Sequence, residues 1–76
     1  MRQLLLYIAQ NLVDNPDDVT VTEKAGDEGI IFELRVAPSD MGKVIGRHGK
    51  IAKEIRTLMR SVALKQGKKI SVEIVE

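Results

Sequence analysis

The chain has 76 residues, 43% of them hydrophobic and 30% charged, with a net charge of +1 and no cysteine. That length allows one small domain, and the balance of apolar and charged residues belongs to a folded chain, not a disordered one. Disulfides and thiolate metal sites are excluded, and no apolar run is long enough to cross a bilayer. The opening Met1-Arg2-Gln3-Leu4-Leu5-Leu6 has the flavour of a signal peptide, but Asn11, Asp14 and Asn15 follow in place of a small-residue cleavage site. A cytoplasmic protein is expected.

Leu4, Leu5, Ile8 and Leu12 recur at helical spacing, with Ala9 and Val13 alongside. They predict a first helix over residues 2–13, stopped by Asn15-Pro16. Val19-Thr20-Val21-Thr22 alternates and is β-branched throughout, so it predicts a strand. Residues 25–29 form a turn, and Ile30, Phe32, Leu34 and Val36 give a second strand one apolar face. The short connection makes the pair an antiparallel hairpin, with Phe32 in the core. Pro38 ends the strand, and Ser39 or Asp40 is expected to cap a short helix reaching Ile45. A third helix begins near Gly49. Its core face is expected to carry Ile51, Ile55, Leu58, Met59 and Val62, with Ala52 and Ala63 beside it and Lys53, Thr57 and Arg60 elsewhere. Gly67 is its C-terminal signal. Ile70, Val72 and Ile74 then alternate in a last strand. The crossover between the second and third strands holds two helices and allows them to pair in parallel. The expected fold is α+β, in the order α-β-β-α-α-β, with a three-stranded mixed sheet covered on one face by three helices.

The run Val44-Ile45-Gly46-Arg47-His48-Gly49-Lys50 joins the last two helices. Two glycines three apart permit a tight turn and the close approach of a sugar-phosphate backbone. The N-terminus of the following helix faces the same loop and favours an anion. Lys43, Arg47 and Lys50 bracket the loop with positive charge. A Walker phosphate loop is ruled out, because Ile51 stands where Ser or Thr is required and no glycine lies five positions before Gly49. Charge is unevenly spread. Nine basic residues and one acid, Glu54, lie between Met41 and Lys69, giving +8 there and −7 elsewhere. A near-neutral chain with one strongly basic half suits a polyanion on that half.

The whole pattern resembles a type II KH domain, and the stretch from Val36 to Arg56 resembles the small stand-alone bacterial KH proteins of the KhpA (YlqC) family. The resemblance implies sequence-tolerant binding of single-stranded RNA in a bacterial cytoplasm. It also implies a homodimer, or a heterodimer with a larger KH protein of the KhpB (Jag/EloR) kind, tied to RNA-level control of cell elongation and envelope growth. Carried over by position, Gly46, Arg47, His48 and Gly49 form the clamp, with Lys43, Lys50 and Lys53 beside it. Val44, Ile45 and Ile55 flank the nucleotide groove, and Val36 lines its other wall. Ala52 stands where many KH domains have an aliphatic residue, so the groove floor is shallower or supplied by Ile51.

About four nucleotides would lie across such a loop. Phosphates would meet backbone N–H groups from Gly46 to Lys50 and the side chains of Arg47 and Lys50. Tyr7 and Phe32 are the only aromatics. Stacking is therefore scarce, and weak, salt-sensitive affinity is expected of a lone domain. His48 has no second ligand or nucleophile, so neither metal binding nor acid–base chemistry is expected of it. Asp14, Asp17 and Asp18 read as an acidic loop without the spaced ligands of a calcium site. No catalytic constellation, cofactor or small-molecule substrate is indicated. The rival function is a protein-interaction subunit that uses the basic face and an Ile51/Met59 surface. Single-stranded DNA is a third possibility, since no residue here identifies a contact to the 2′-hydroxyl.

Overall fold

Apolar spacing at the start of the chain produces helix α1, Arg2–Leu12, which buries Leu5 and Ala9 four residues apart on one face. Val13 is already extended, and Pro16 opens a single 3-10 turn, Pro16–Asp18. The computed structural model describes residues 1–76 and contains five further α-helices and strands. These are β1 (Thr20–Gly26), β2 (Gly29–Arg35), α2 (Met41–Ile45), α3 (Lys50–Lys65) and β3 (Ile70–Ile74).

The hairpin register runs from Thr20 opposite Arg35 to Gly26 opposite Gly29, leaving Asp27 and Glu28 as the turn. β1 is thus longer than its β-branched run. Ladder pairing with β2 carries Glu23 to Gly26 into the strand although their own strand propensity is low. β3 pairs in parallel with β2, Phe32 beside Val72, in the order β1-β2-β3. The expected mixed sheet is present. Gly29 (φ 148°) opens β2, and a Cβ there would strike the carbonyl of Lys69, the residue before β3.

Phe32, Leu34, Val21 and Val72 point from the sheet into one core, joined by Leu5 and Ala9 of α1, Val44 of α2, and Ile55 and Met59 of α3. The buried face of α3 is Ala52, Ile55, Met59 and Ala63. This corrects the expected face, because Leu58 is 47% exposed and the two alanines are buried beneath the helix. Small side chains let the helix backbone settle closely on its neighbours, a packing advantage that hydrophobic spacing alone does not reveal. The helix closes as expected around Gly67 (φ 68°), with Gly67 N–H donating to Leu64 O and Lys68 N–H to Ala63 O. No helix is long and apolar enough to cross a membrane.

Candidate nucleic-acid interface

Helix α2 is stopped by Gly46 (φ 76°, ψ 178°), whose N–H still donates to Gly42 O at 2.9 Å. The chain then makes a 3-10 turn, Arg47–Gly49, with His48 (φ 57°, ψ 26°) and Gly49 (φ 75°, ψ 14°) left-handed before α3 begins. The two glycines serve different needs. A Cβ on Gly46 would overlap the Ile51 side chain and stand 2.9 Å from the Ile51 nitrogen, so Gly46 is required to close the turn itself. A Cβ on Gly49 would meet nothing within 4 Å, so this glycine supplies a left-handed turn and leaves the space in front of it open. His48 holds a conformation that disfavours a non-glycine residue by about 1 kcal/mol. Nothing in the local sequence marks it for that role.

Arg47, His48, Lys50 and Lys53 are exposed around the turn, with Ile45, Gly46, Gly49 and Ile51 half-buried among them. These eight expected site residues lie on one segment of surface, spanning the end of α2, the turn and the first α-helical turns of α3. Three others do not match the expectation. Val44 is fully buried and Ile55 is 4% exposed. Both hold the helices from beneath and offer no side-chain surface to a nucleotide. Lys43 is exposed, but its Nζ lies 3.1 Å from Asp14 Oδ2 and 3.7 Å from Asp40 Oδ1. Its charge is matched within the protein, and its pKa is raised chiefly by the bond and attraction to Asp14. Val36, expected on a groove wall, packs into the core.

The backbone also offers a phosphate fewer donors than expected. The N–H groups of Gly46, Gly49 and Lys50 already donate to Gly42, Gly46 and Arg47 carbonyls. Side-chain charge therefore carries more of any anion recognition. Among the other basic residues, Arg56 is half-buried and its Nε donates to Val72 O at 3.1 Å, closing part of the β3 edge. Lys65, Lys68 and Lys69 are exposed at the far end of α3. A concavity of about 620 Å³ lies there too, where Arg60, Lys68 and Lys69 share its lining with Asp27 and Glu28. Those acids oppose a phosphate, so the loop, not the concavity, is the better anion site.

One buried residue, at the start of the helix that leads to the loop, escaped sequence reasoning. Asp40 occupies the cap position of α2 but makes no cap hydrogen bond. Its side chain is 1% exposed and turns back toward the segment after α1. Oδ1 accepts from Asp14 N–H at 3.2 Å, and Oδ2 accepts from Asn15 N–H at 3.0 Å and Asn15 Nδ2 at 3.1 Å. Burial alone would raise its pKa. The Asn15 side chain, the two backbone donors and Lys43 outweigh that and hold it below the ordinary carboxylate value. The only sequence signal was a capping-type residue after Pro38, which does not distinguish a local cap from this longer-range anchor.

Known proteins share both the sequence and the fold. The profile described as KhpA/KhpB, KH domain, matches residues 2–74. The RNA-binding protein KhpA of Clostridium acetobutylicum is 56% identical over 75 residues, covering 99% of this chain and all of that one. The RNA-binding protein KhpA of Chlamydia trachomatis is 49% identical, covering all of this chain and 97% of its own. That of Listeria monocytogenes is 47% identical over the full length of both. Among solved structures, Aquifex aeolicus Era bound to GDP and aluminium fluoride superposes with a TM-score of 0.65 at 24% identity, over 96% of this chain. The chain spans 28% of the Era chain, and the likeness is one of fold. Full-length identity, the α-β-β-α-α-β order and the glycine turn between α2 and α3 agree: this chain belongs to the KhpA/KhpB family of KH-domain proteins, a family of binding domains and not of enzymes.

Proposed function

We propose that this protein binds single-stranded RNA across the Gly46–Gly49 turn with little base selectivity. The observation that carries this reading is the turn itself: exposed Arg47, His48 and Lys50 surround Gly49, which has open space where a Cβ would stand. The N-terminal end of the 16-residue α3 adds a partial positive charge at the same place. Relatives of nearly equal length carry the name RNA-binding protein KhpA. The structure of Era with nucleotides 1506–1542 of 16S ribosomal RNA shows that a chain containing this fold engages RNA.

In this reading Arg47 and Lys50 pair with successive phosphates, and Lys53 extends the positive edge by one turn of α3. Ile45 and Ile51, half-buried beside the turn, give the bases an apolar rest. Lys43 takes a smaller part, because Asp14 and Asp40 already answer its charge. Val44 and Ile55 act only through packing. The protein works as a subunit, paired with a second copy or with a KhpB-like KH protein, in RNA-level control of cell elongation and envelope growth; the family resemblance supports that part. The protein-interaction reading loses half of its proposed surface, since Met59 is fully buried.

Fluorescence anisotropy of a labelled single-stranded RNA tests the proposal, with wild type and Arg47→Asp/His48→Asp compared after circular dichroism confirms that both are folded. Binding by wild type and its loss in the folded variant is the expected result. Equal binding by both would remove the turn from the mechanism, and no binding by either would favour the protein-interaction reading. A DNA strand of the same sequence, titrated in parallel, separates RNA from single-stranded DNA.

A further inference from the structure

Helix α2 is short for its task. Its five residues bury only Val44, yet its C-terminal end sets where the Gly46–Gly49 turn begins. An α-helix of this length has little stability of its own, so its position must come from outside it. Two anchors are visible. One is Val44 in the core. The other is Asp40, buried at the start of the helix, whose two oxygens receive three hydrogen bonds from Asp14 and Asn15. Lys43, one turn along α2, reaches the same two acidic residues, Asp14 and Asp40. The segment after α1 and the helix leading to the turn are thereby tied together by hydrogen bonds and an ion pair around one carboxylate. No buried side-chain polar atom in the chain lacks a partner, so this network is fully satisfied.

We infer that Asp40 is a positioning residue for the RNA-binding turn, fixing the α2–turn–α3 unit against the loop that follows α1. It touches no RNA itself, and the inference rests on the reading of the turn given above. A satisfied buried network rigidifies what it joins, whereas a half-satisfied one loosens it. Replacing Asp40 by Asn keeps the size but puts an N–H₂ group where an acceptor was, facing donors from Asp14 and Asn15. The turn then becomes mobile while the sheet, to which Asp40 makes no hydrogen bond, stays in place.

The test pairs Asp40→Asn with Val72→Ala, a core change on β3 away from the turn. Amide hydrogen exchange and RNA anisotropy are measured at a temperature where circular dichroism shows both variants folded. In Asp40→Asn the amides of Gly46 and Gly49, which donate to Gly42 and Gly46 carbonyls, should exchange faster than those of β2. RNA affinity should fall about tenfold, on the scale of one net hydrogen bond lost from the network that seats the turn. In Val72→Ala any decline in protection should follow global stability, with RNA affinity within about twofold of wild type, the usual independence of distant sites. If Asp40→Asn lowers stability but leaves turn exchange and RNA affinity like those of Val72→Ala, Asp40 is merely structural and the inference is wrong. If wild type binds no RNA, the proposed function fails, while the exchange pattern still decides whether Asp40 holds the turn. A variant too unstable to measure is replaced by Asn15→Ala, which removes one donor to the same oxygen and should loosen the same amides.

Discussion

Changing either glycine of the turn to alanine should separate two reasons for having glycine there. Gly49 lies at φ 75°, ψ 14°, a left-handed conformation with open space at the Cβ position. Alanine there should lose about 1–2 kcal/mol, the disadvantage of that conformation for an L-residue. Gly46 lies at φ 76°, ψ 178° and would drive its Cβ against Ile51 Cβ at 2.8 Å and Ile51 N at 2.9 Å. Its conformation is nearly confined to glycine, at about 1–3 kcal/mol, and the collision adds about 1–3 kcal/mol of overpacking. The combined loss is about 2–6 kcal/mol, a large share of the roughly 4–11 kcal/mol available to a domain of this size. With about 4–8 °C per kcal/mol, Gly49→Ala should melt about 5–15 °C below wild type and Gly46→Ala well below that. Urea unfolding followed by far-UV circular dichroism, without RNA, measures both. Equal destabilisation by the two substitutions, or a better tolerated Gly46→Ala, would refute this assignment. Gly49→Ala then becomes the informative variant for the proposed RNA binding, because it should stay folded and fills only open space in front of the turn.

Three shorter tests follow from the same geometry. Met59→Ala should destabilise by about 2–5 kcal/mol, while Leu58→Ala, at a half-exposed site, should stay within about 1 kcal/mol; urea midpoints decide, and similar losses would restore the face expected from hydrophobic spacing. Lys50→Gln should weaken RNA binding and flatten the slope of log affinity against log salt by about 0.7, whereas Lys43→Gln should change the slope little because Asp14 and Asp40 already match its charge; anisotropy titrations at several salt concentrations check both. Folding lowers the Asp40 pKa, so the stability it contributes is complete above the ordinary carboxylate value and is lost as pH falls through the folded one. The gap in urea midpoint between wild type and Asp40→Asn should therefore narrow as the pH drops below about 4. Lys43 has the opposite sign, its raised pKa giving stability that is lost only in strong alkali as pH rises through the folded value.

Element order and sheet pairing were legible because each strand carries its period in its own residues. Ile30, Phe32 and Leu34 need no partner to declare a face, and the length of the crossover between β2 and β3 permits the parallel pairing that is observed. Legibility fell where a side chain's role depends on what lies across from it. Val44, beside the turn in sequence, points inward once α2 packs on α3. Ala52 looked like a gap in a groove and is a close-packed residue beneath α3. Asp40 looked like a helix cap, since the cap position itself is correct, but its partners lie 25 and 26 residues earlier in the chain. Spacing rules describe neighbours along the chain, and a buried carboxylate is claimed by whichever donors the fold brings to it. The left-handed His48 is hidden for a related reason: the turn must reverse direction within four residues, and closure forces the second of the two residues between the glycines into a conformation that its own preferences oppose.

The placement of the aromatics bears directly on affinity. Phe32 is 1% exposed and fully committed to the core, and Tyr7, 66% exposed, stands on α1, which packs against β1 and α2. Neither the turn nor α3 contains a Phe, Tyr or Trp, so neither offers a base the stacking contribution of such a ring, about 1–3 kcal/mol. What remains is charge from Arg47, Lys50 and Lys53 with a small aliphatic rest beside them. Such interactions follow the backbone of a strand and are nearly indifferent to its bases. They also weaken together as salt rises. A domain built this way gains little from improving a single phosphate pairing, because each is worth little in water. It gains far more from holding the strand at a second, linked turn, where the second encounter is governed by effective concentration. On the proposed RNA reading, pairing with another KH domain would complete this surface, and seating of the turn through Asp40 would keep two weak grips in a fixed relation to their strand.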